Sequence, residues 1–445
     1  MTRDREQILT YSGKVLDFIA KKQFNDEERA WLAAETLAGL KVNCNLGFLD
    51  YSKPFSTFST TAEQENSGIS FHDLHNRNYI DCIGGYGEYN IGQNHPRLIE
   101  IIKEHLEQEV LYNWEFLDPL RGMLSRLLAM IAPGDLQNSF LTHSGIESIE
   151  GAINLARSYT GRPGIITSVG SNNKTFNSHK NFMLQLPYIQ NVPYGDIDEL
   201  QAVVTSSLNG GHEIAAILLE PILSKEGVAI PPDEYFVQVR DICIDHGIVL
   251  IVDEVQAEMG RTGKLFAIEH CGVIPDILCL GKAFGGGVMP IGAIISTAEI
   301  WQTVISNPLM HSNNFGGNPL ACAAAVASIK VILDEGLVEQ AAEKGNYLLP
   351  KLQSMADKYP AFKEARGRGL LIGVEFKDHS TGEKVARELI ENGILVARSP
   401  ENSSVIRIEP VLTISIGEID RLVEVLERII YKVSEEINLK GVDYD

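Results

Sequence analysis

Strand-like and helix-like segments alternate from about residue 100 to 325, which predicts an α/β fold with a mostly parallel sheet flanked by helices. Two further observations agree. The apolar runs Ala215–Leu219, Ile248–Val252 and Ile277–Leu280 are short and unbroken, as strands buried on both faces are. Charged residues cluster just after two of those runs, at Asp253-Glu254 and at Lys282. That is the strand edge where open parallel sheets bind ligands.

Taken in order, residues 1 to about 40 place apolar residues at helical spacing and read as mostly exposed helix. The polar stretch Ser52–Asn66 reads as a connector. Tyr79–Ile83 reads as a strand running into Gly84-Gly-Tyr-Gly87, a turn where backbone can approach a ligand. Ser139–Thr142 and Gly164–Thr167 complete the strand candidates of the central region. Glu147–Tyr159 and Glu234–His246 read as helices between them. After a helix over Leu320–Asp334, strands at Leu370–Phe376 and Val405–Ile408 and a helix over about 417–436 form a smaller α+β unit. The expected division is an N-terminal segment over 1–75 that packs with the small domain, a large domain over 76–325 and a small domain over 326–445.

A chain of 445 residues with 44% hydrophobic and 22% charged residues is ordinary for a globular protein. A net charge of −21 disfavours nucleic-acid or anionic-membrane partners. No apolar run reaches membrane-spanning length, and the charged amino terminus does not resemble a signal peptide. The six cysteines are scattered, without Cys-x-x-Cys spacing, so neither zinc nor any other metal is expected, and a reducing cytoplasm fits.

Lys282 follows a strand and precedes Gly285-Gly-Gly287. A lysine and an aspartate delivered to one sheet edge suit pyridoxal 5'-phosphate (PLP). The amine would hold the cofactor as a Schiff base, and the carboxylate of Asp253 would keep the pyridine nitrogen protonated. A lysine after a strand is more often a solvated loop residue, and an aspartate there is often a helix cap. The glycines favour the cofactor, since they let backbone crowd a ring. Thr142-His-Ser-Gly-Ile-Glu147 joins a strand to a helix, so its amides and dipole suit a phosphate, although Ser144 as a plain helix cap explains the same residues. Phe315-Gly-Gly-Asn-Pro319 permits close approach before a helix, as a plain turn also would.

Together the blocks Leu219-Glu-Pro-Ile222, Val252-Asp-Glu-Val-Gln256, Met259-Gly-Arg-Thr-Gly263, Pro275–Lys282, Phe315–Pro319 and Ile406-Arg-Ile-Glu-Pro410 resemble the class III aminotransferases of PLP fold type I. The resemblance spans about residues 27 to 430. It implies a large domain with a mostly parallel sheet, a smaller α+β domain, and a homodimer with shared active sites. It also implies a small-molecule amino donor and acceptor. Lys282 would be the Schiff-base lysine and Asp253 the pyridine partner. Gln256 would meet the ring's phenolic oxygen. Backbone at Gly145 and Ile146 would hold the phosphate, with Asn314 reaching it from the neighbouring subunit. Arg407 would bind a substrate carboxylate.

Departures from the family pattern gather at the same site. Ser171 stands where a stacking aromatic ring is usual, and Asn314 where a threonine is usual. Lys225 takes the place of the glutamate that masks the arginine, with Glu226 beside it. The substitution at 225 leads to the expectation of an uncovered Arg407 in a positively charged pocket, poor for a diamine such as putrescine. Transamination is the leading reading. Racemisation, decarboxylation or elimination on the same fold, or a homologue without turnover, also fit these residues.

Overall fold

The computed structural model describes residues 5–21, 24–39, 65–73, 77–108, 117–169, 188–307, 310, 313–399 and 402–442. The expected connector 52–66 lies almost wholly outside them, as does Ser171. The chain divides into two compact units, residues 1–66 with 70–79, and residues 67–69 with 80–445. The first unit contains the expected helices, Arg5–Ala20 and Asp26–Gly39. Ile8, Leu9, Leu16 and Ile19 are exposed on the first of these, as expected. Strands β1 (Glu65–Ser67), β2 (Ser70–His72) and β3 (Asn78–Asp81) follow in sequence.

The second unit is built on a seven-stranded sheet. Its strands are β4 (Asn138–Thr142), β5 (Gly164–Val169), β6 (Ile189–Pro193), β7 (Ile214–Leu219), β8 (Val249–Asp253), β9 (Ile277–Leu280) and β10 (Gly292–Ser296). Their spatial order is β4-β10-β9-β8-β7-β5-β6. The pairs among β9, β8, β7, β5 and β6 are all parallel, while β10 runs antiparallel to both β9 and β4. Five of the seven strands match the sequence reading. The two missed ones, β6 and β10, have physical explanations. In β6, Gln190, Asn191 and Pro193 break the apolar run, as a sheet edge allows. In β10, Gly-Ala-Ile-Ile-Ser follows so closely on the glycines after Lys282 that it reads as part of the loop.

All residues of β7, β8, β9 and β10 are buried, so their apolar runs serve both faces. In β8, Val249 and Ile251 point to one core with the helix Gly145–Thr160, while Leu250 and Val252 point to the other with the helix Tyr235–His246. This alternation follows from the two-residue repeat of a strand. Each fully buried valine, leucine or isoleucine contributes roughly 1.5–3 kcal/mol.

A second sheet has the order β11-β12-β15-β14, from β11 (Phe362–Arg368), β12 (Leu371–Phe376), β14 (Ala397–Arg398) and β15 (Val405–Ile408). It is antiparallel throughout. The short strand β13 (Ile394–Leu395) instead pairs in parallel with the end of β3, at Ile80 and Asp81. Helices Pro319–Asp334, Leu337–Ala356, His379–Glu391 and Ile416–Val442 complete this region. Among the described residues, no helix is long and apolar enough to cross a membrane.

Candidate active site

β4, β8 and β9 all end at one edge of the large sheet. Beyond β9, Gly281 opens a short 3-10 turn, Lys282–Gly285. Lys282 itself has φ 29°, a backbone conformation that residues with a Cβ avoid. Its side chain is partly buried, and its Nζ donates to the carbonyl of Tyr86 at 2.7 Å and to Oε1 of Gln256. Burial pushes the ammonium down to about 8. Glu409 pulls it upward, Arg407 and Lys225 push it further down, and Glu220 pulls it up. The amine is thus half-neutral near pH 8, where a free lysine would be almost fully charged.

The turn 84–87 reaches this amine with backbone alone. Gly84, Gly85, Tyr86 and Gly87 all have positive φ, which turns the Tyr86 carbonyl toward Lys282. Gln256 Nε2 donates to the same carbonyl at 3.0 Å. A Cβ at Gly87 would overlap the Gln256 amide, so glycine is required there by contact as well as by conformation.

Gln256 also connects Lys282 to a charged pair. Its Nε2 lies 3.2 Å from Oε2 of Glu409. Glu409 Oε1 lies 3.3 Å from Nε of Arg407, and both side chains are almost fully buried. The Arg407 guanidinium sits 5.4 Å from the centre of the Tyr86 ring, within cation–π range. Among the described residues, Arg407 Nε and Nη1 and Glu409 Oε1 make no well-formed hydrogen bond. The expectation of an uncovered arginine is therefore corrected. Lys225 occupies the loop position, but the compensating carboxylate comes from Glu409, two residues beyond Arg407 on the same segment. That acid was not a candidate in the sequence, because nothing in Arg-Ile-Glu-Pro distinguishes it from a surface residue.

Asp253 is buried at the end of β8, and its Oδ1 accepts from the Val255 amide at 3.0 Å. It is in register with Cys279 on the strand that leads to Lys282. Two further acids follow on the same turn. Glu254 is fully buried and accepts from the Ala267 and Ile268 amides at 2.9 and 2.7 Å. Burial raises its carboxyl to about 8 against the pull of those two bonds. Glu258 is likewise buried and faces the turn of Lys282. Arg261, from the Met259–Gly263 block, is structural. It donates to Leu370 O at 3.2 Å, to Pro410 O and to Asn90 Oδ1 at 2.6 Å, fixing the segment that carries Arg407 and Glu409.

Gly145 and Ile146 begin the helix after β4. Ser144 caps it, its Oγ accepting from the Glu147 amide at 3.2 Å. The cap and the anion-site readings are thus compatible, because the first helical amides have no acceptor within the helix. Gly281 packs against Gly145, which brings that helix start beside the Lys282 turn. Asn314 is exposed on the loop before helix Pro319–Asp334, and neighbouring Phe315 is 70% exposed. Asn313 Nδ2 donates to Glu147 Oε1 at 2.8 Å, which holds that loop near the same helix.

These residues fit PLP. A partly neutral amine suits an aldehyde, a buried carboxylate suits a pyridine nitrogen, and first-turn amides without an acceptor inside the helix suit a phosphate. Gly281→Ala tests the spacing. Its Cβ would lie 2.9 Å from Gly145 Cα and 3.0 Å from Gly145 N. Titrating the apoprotein with PLP should show affinity weakened about 5- to 100-fold, the size of an overpacking cost. Unchanged affinity would show that the contact does not set the site.

A model of the family Aminotransferase class-III matches residues 53–430. Among solved structures, the acetylornithine aminotransferase of Elizabethkingia anophelis is 29% identical with a TM-score of 0.75, covering 86% of this chain and 98% of that one. The ornithine aminotransferase of Toxoplasma gondii ME49 is 28% identical with a TM-score of 0.78, covering 93% and 100%. A PLP-bound amine transaminase from an uncultivated Pseudomonas species is 26% identical with a TM-score of 0.76, covering 84% and 95%. The chain belongs to the class-III aminotransferases, PLP-dependent enzymes that move an amino group between small molecules.

Proposed function

We propose that Lys282 carries the cofactor and moves the proton in transamination, with Asp253 as the pyridine partner. The observation that supports this best is the state of Lys282. Its amine is held by Gln256 and the Tyr86 carbonyl and is half-neutral near pH 8. PLP, when bound, supplies the aldehyde that captures an amine and the ring that accepts the electrons released at the amine-bearing carbon. Lys282 Nζ, when not joined to the cofactor, would take the proton from that carbon as general base and then give it up again as the acid, so that it ends the shift neutral. Gln256 orients Nζ and would meet the phenolic oxygen. The amides of Gly145 and Ile146 would hold the phosphate. Arg407 receives a substrate carboxylate when Glu409 turns away from it.

Borohydride reduction of the holoenzyme, followed by peptide mapping, is expected to leave the pyridoxyl group on Lys282. Label on a different lysine would end this assignment. Asp253→Asn is expected to retain PLP and lose about 100-fold or more in kcat, as for other preorganised electrostatic partners. Near-native turnover would make Asp253 structural.

For the substrate, the motif blocks resemble those of putrescine aminotransferase, and we take a diamine as a candidate donor. The Glu409–Arg407 pair supports this by offsetting the positive charge that Lys225 and Arg407 would bring. Half-reactions with putrescine and with glutamate, followed by absorbance, should show conversion to the pyridoxamine form with at least one. No conversion with either would remove both from the candidate donors.

We also assign a homodimer, in which Asn314 contacts the phosphate of the partner's site. The outward position of Asn314 and Phe315 supports it. Light scattering of a fully active monomer would contradict it. The five described cysteines are free, which suits the cytoplasm. We keep the division at 75 and 325, which the two separate sheets on either side of 325 support.

A further inference from the structure

Glu258 lies two residues after Gln256, and its side chain is 1% exposed. Both its oxygens are directed at the turn of Lys282. Oε2 accepts from the Gly281 amide at 3.1 Å, and Oε1 accepts from the Phe284 amide at 3.1 Å and from Gly281 at 3.3 Å. Those two amides lie on either side of Lys282. We propose that Glu258 is a positioning residue, a carboxylate clamp that holds the left-handed backbone of Lys282 and so fixes where its amine points. This rests on the reading of Lys282 as the reacting amine.

The clamp is anchored at its far end. Asn90 Nδ2 donates to the carbonyls of Glu258 and Met259 at 3.2 and 2.9 Å, and the Glu258 amide donates to Glu254 O at 2.9 Å. Glu254 in turn is held by the amides of Ala267 and Ile268. One rigid turn therefore carries Asp253, Gln256 and Glu258, and Glu258 locks the lysine turn to it. The clamp sets the distance between the amine and its two functional partners. A φ of 29° at Lys282 persists only where the surroundings over-determine it, and two bonds from one carboxylate across four residues do that. Burial, opposed by the two amides, holds the Glu258 carboxyl well above the usual range, and Glu254 and Asp253 add to the rise.

The test reads Lys282 in the apoprotein. The pH dependence of its acylation by trace acetic anhydride is followed by peptide mass spectrometry in wild type, Glu258→Gln and Glu258→Ala. Wild type should show a midpoint at about 8. In Glu258→Ala the turn relaxes, the amine gains water, and the midpoint should rise by about one pH unit or more toward the ordinary lysine value. Glu258→Gln keeps one acceptor oxygen for Phe284 and should rise by less. A midpoint that falls would mean that Glu258 acts on Lys282 through its charge, which overturns the clamp. An unchanged midpoint with a lowered melting temperature would make Glu258 a structural prop, which also overturns it. If Glu258→Ala does not fold, Glu258→Gln decides by the same sign. Absence of borohydride-trapped PLP on wild-type Lys282 is a separate result, which defeats the reading of Lys282 and leaves the midpoint shift to be judged by itself.

Discussion

A sheet buried on both faces cannot solvate a charge along its length, and the rest of the site follows from that constraint. Strands β7 to β10 are buried throughout, so charged groups appear only where the strands end. Asp253 ends β8, and Lys282 follows β9 after a single glycine. Parallel pairing of β8 and β9 brings both to the same edge. The helix start at Gly145 reaches that edge because β4 runs in the same direction as β9, both lying antiparallel to β10.

Desolvation then tunes the groups gathered there. It lowers Lys282 and raises Glu254 and Glu258, the direction expected for each charge type. The acids are tolerated because backbone amides satisfy them, and the lysine because a carbonyl and an amide oxygen do. Gln256 then links the amine to Glu409, and Glu409 is paired with Arg407. Three contacts, through Glu409 and Gln256, therefore join Arg407 to the Lys282 amine.

Much of this was legible in the chain. The unbroken apolar runs marked β7, β8 and β9, and the residues just past them marked Asp253 and Lys282. The glycines at 84–87 announced a close backbone approach, and the structure has the Tyr86 carbonyl there. Other features were not legible. β10 carries too short an apolar run to stand out from the glycine-rich loop before it. The uncovered arginine was inferred from position 225 alone, whereas the pairing carboxylate lies next to the arginine and far from that loop in sequence.

The sequence by itself determined the periodicities, and with them the layers of the fold, the edge where chemistry collects and the lysine and aspartate that mark it. It could do so because burial on two faces and delivery at a strand end are local properties of a run of residues. The tertiary structure alone decided the roles of Tyr86, Glu258 and Glu409. A backbone carbonyl has no residue signature, and an acid looks the same whether it faces water or a buried amide. Only tertiary packing turns Glu258 toward Gly281, 23 positions away, and sets Glu409 against Gln256, 153 positions away.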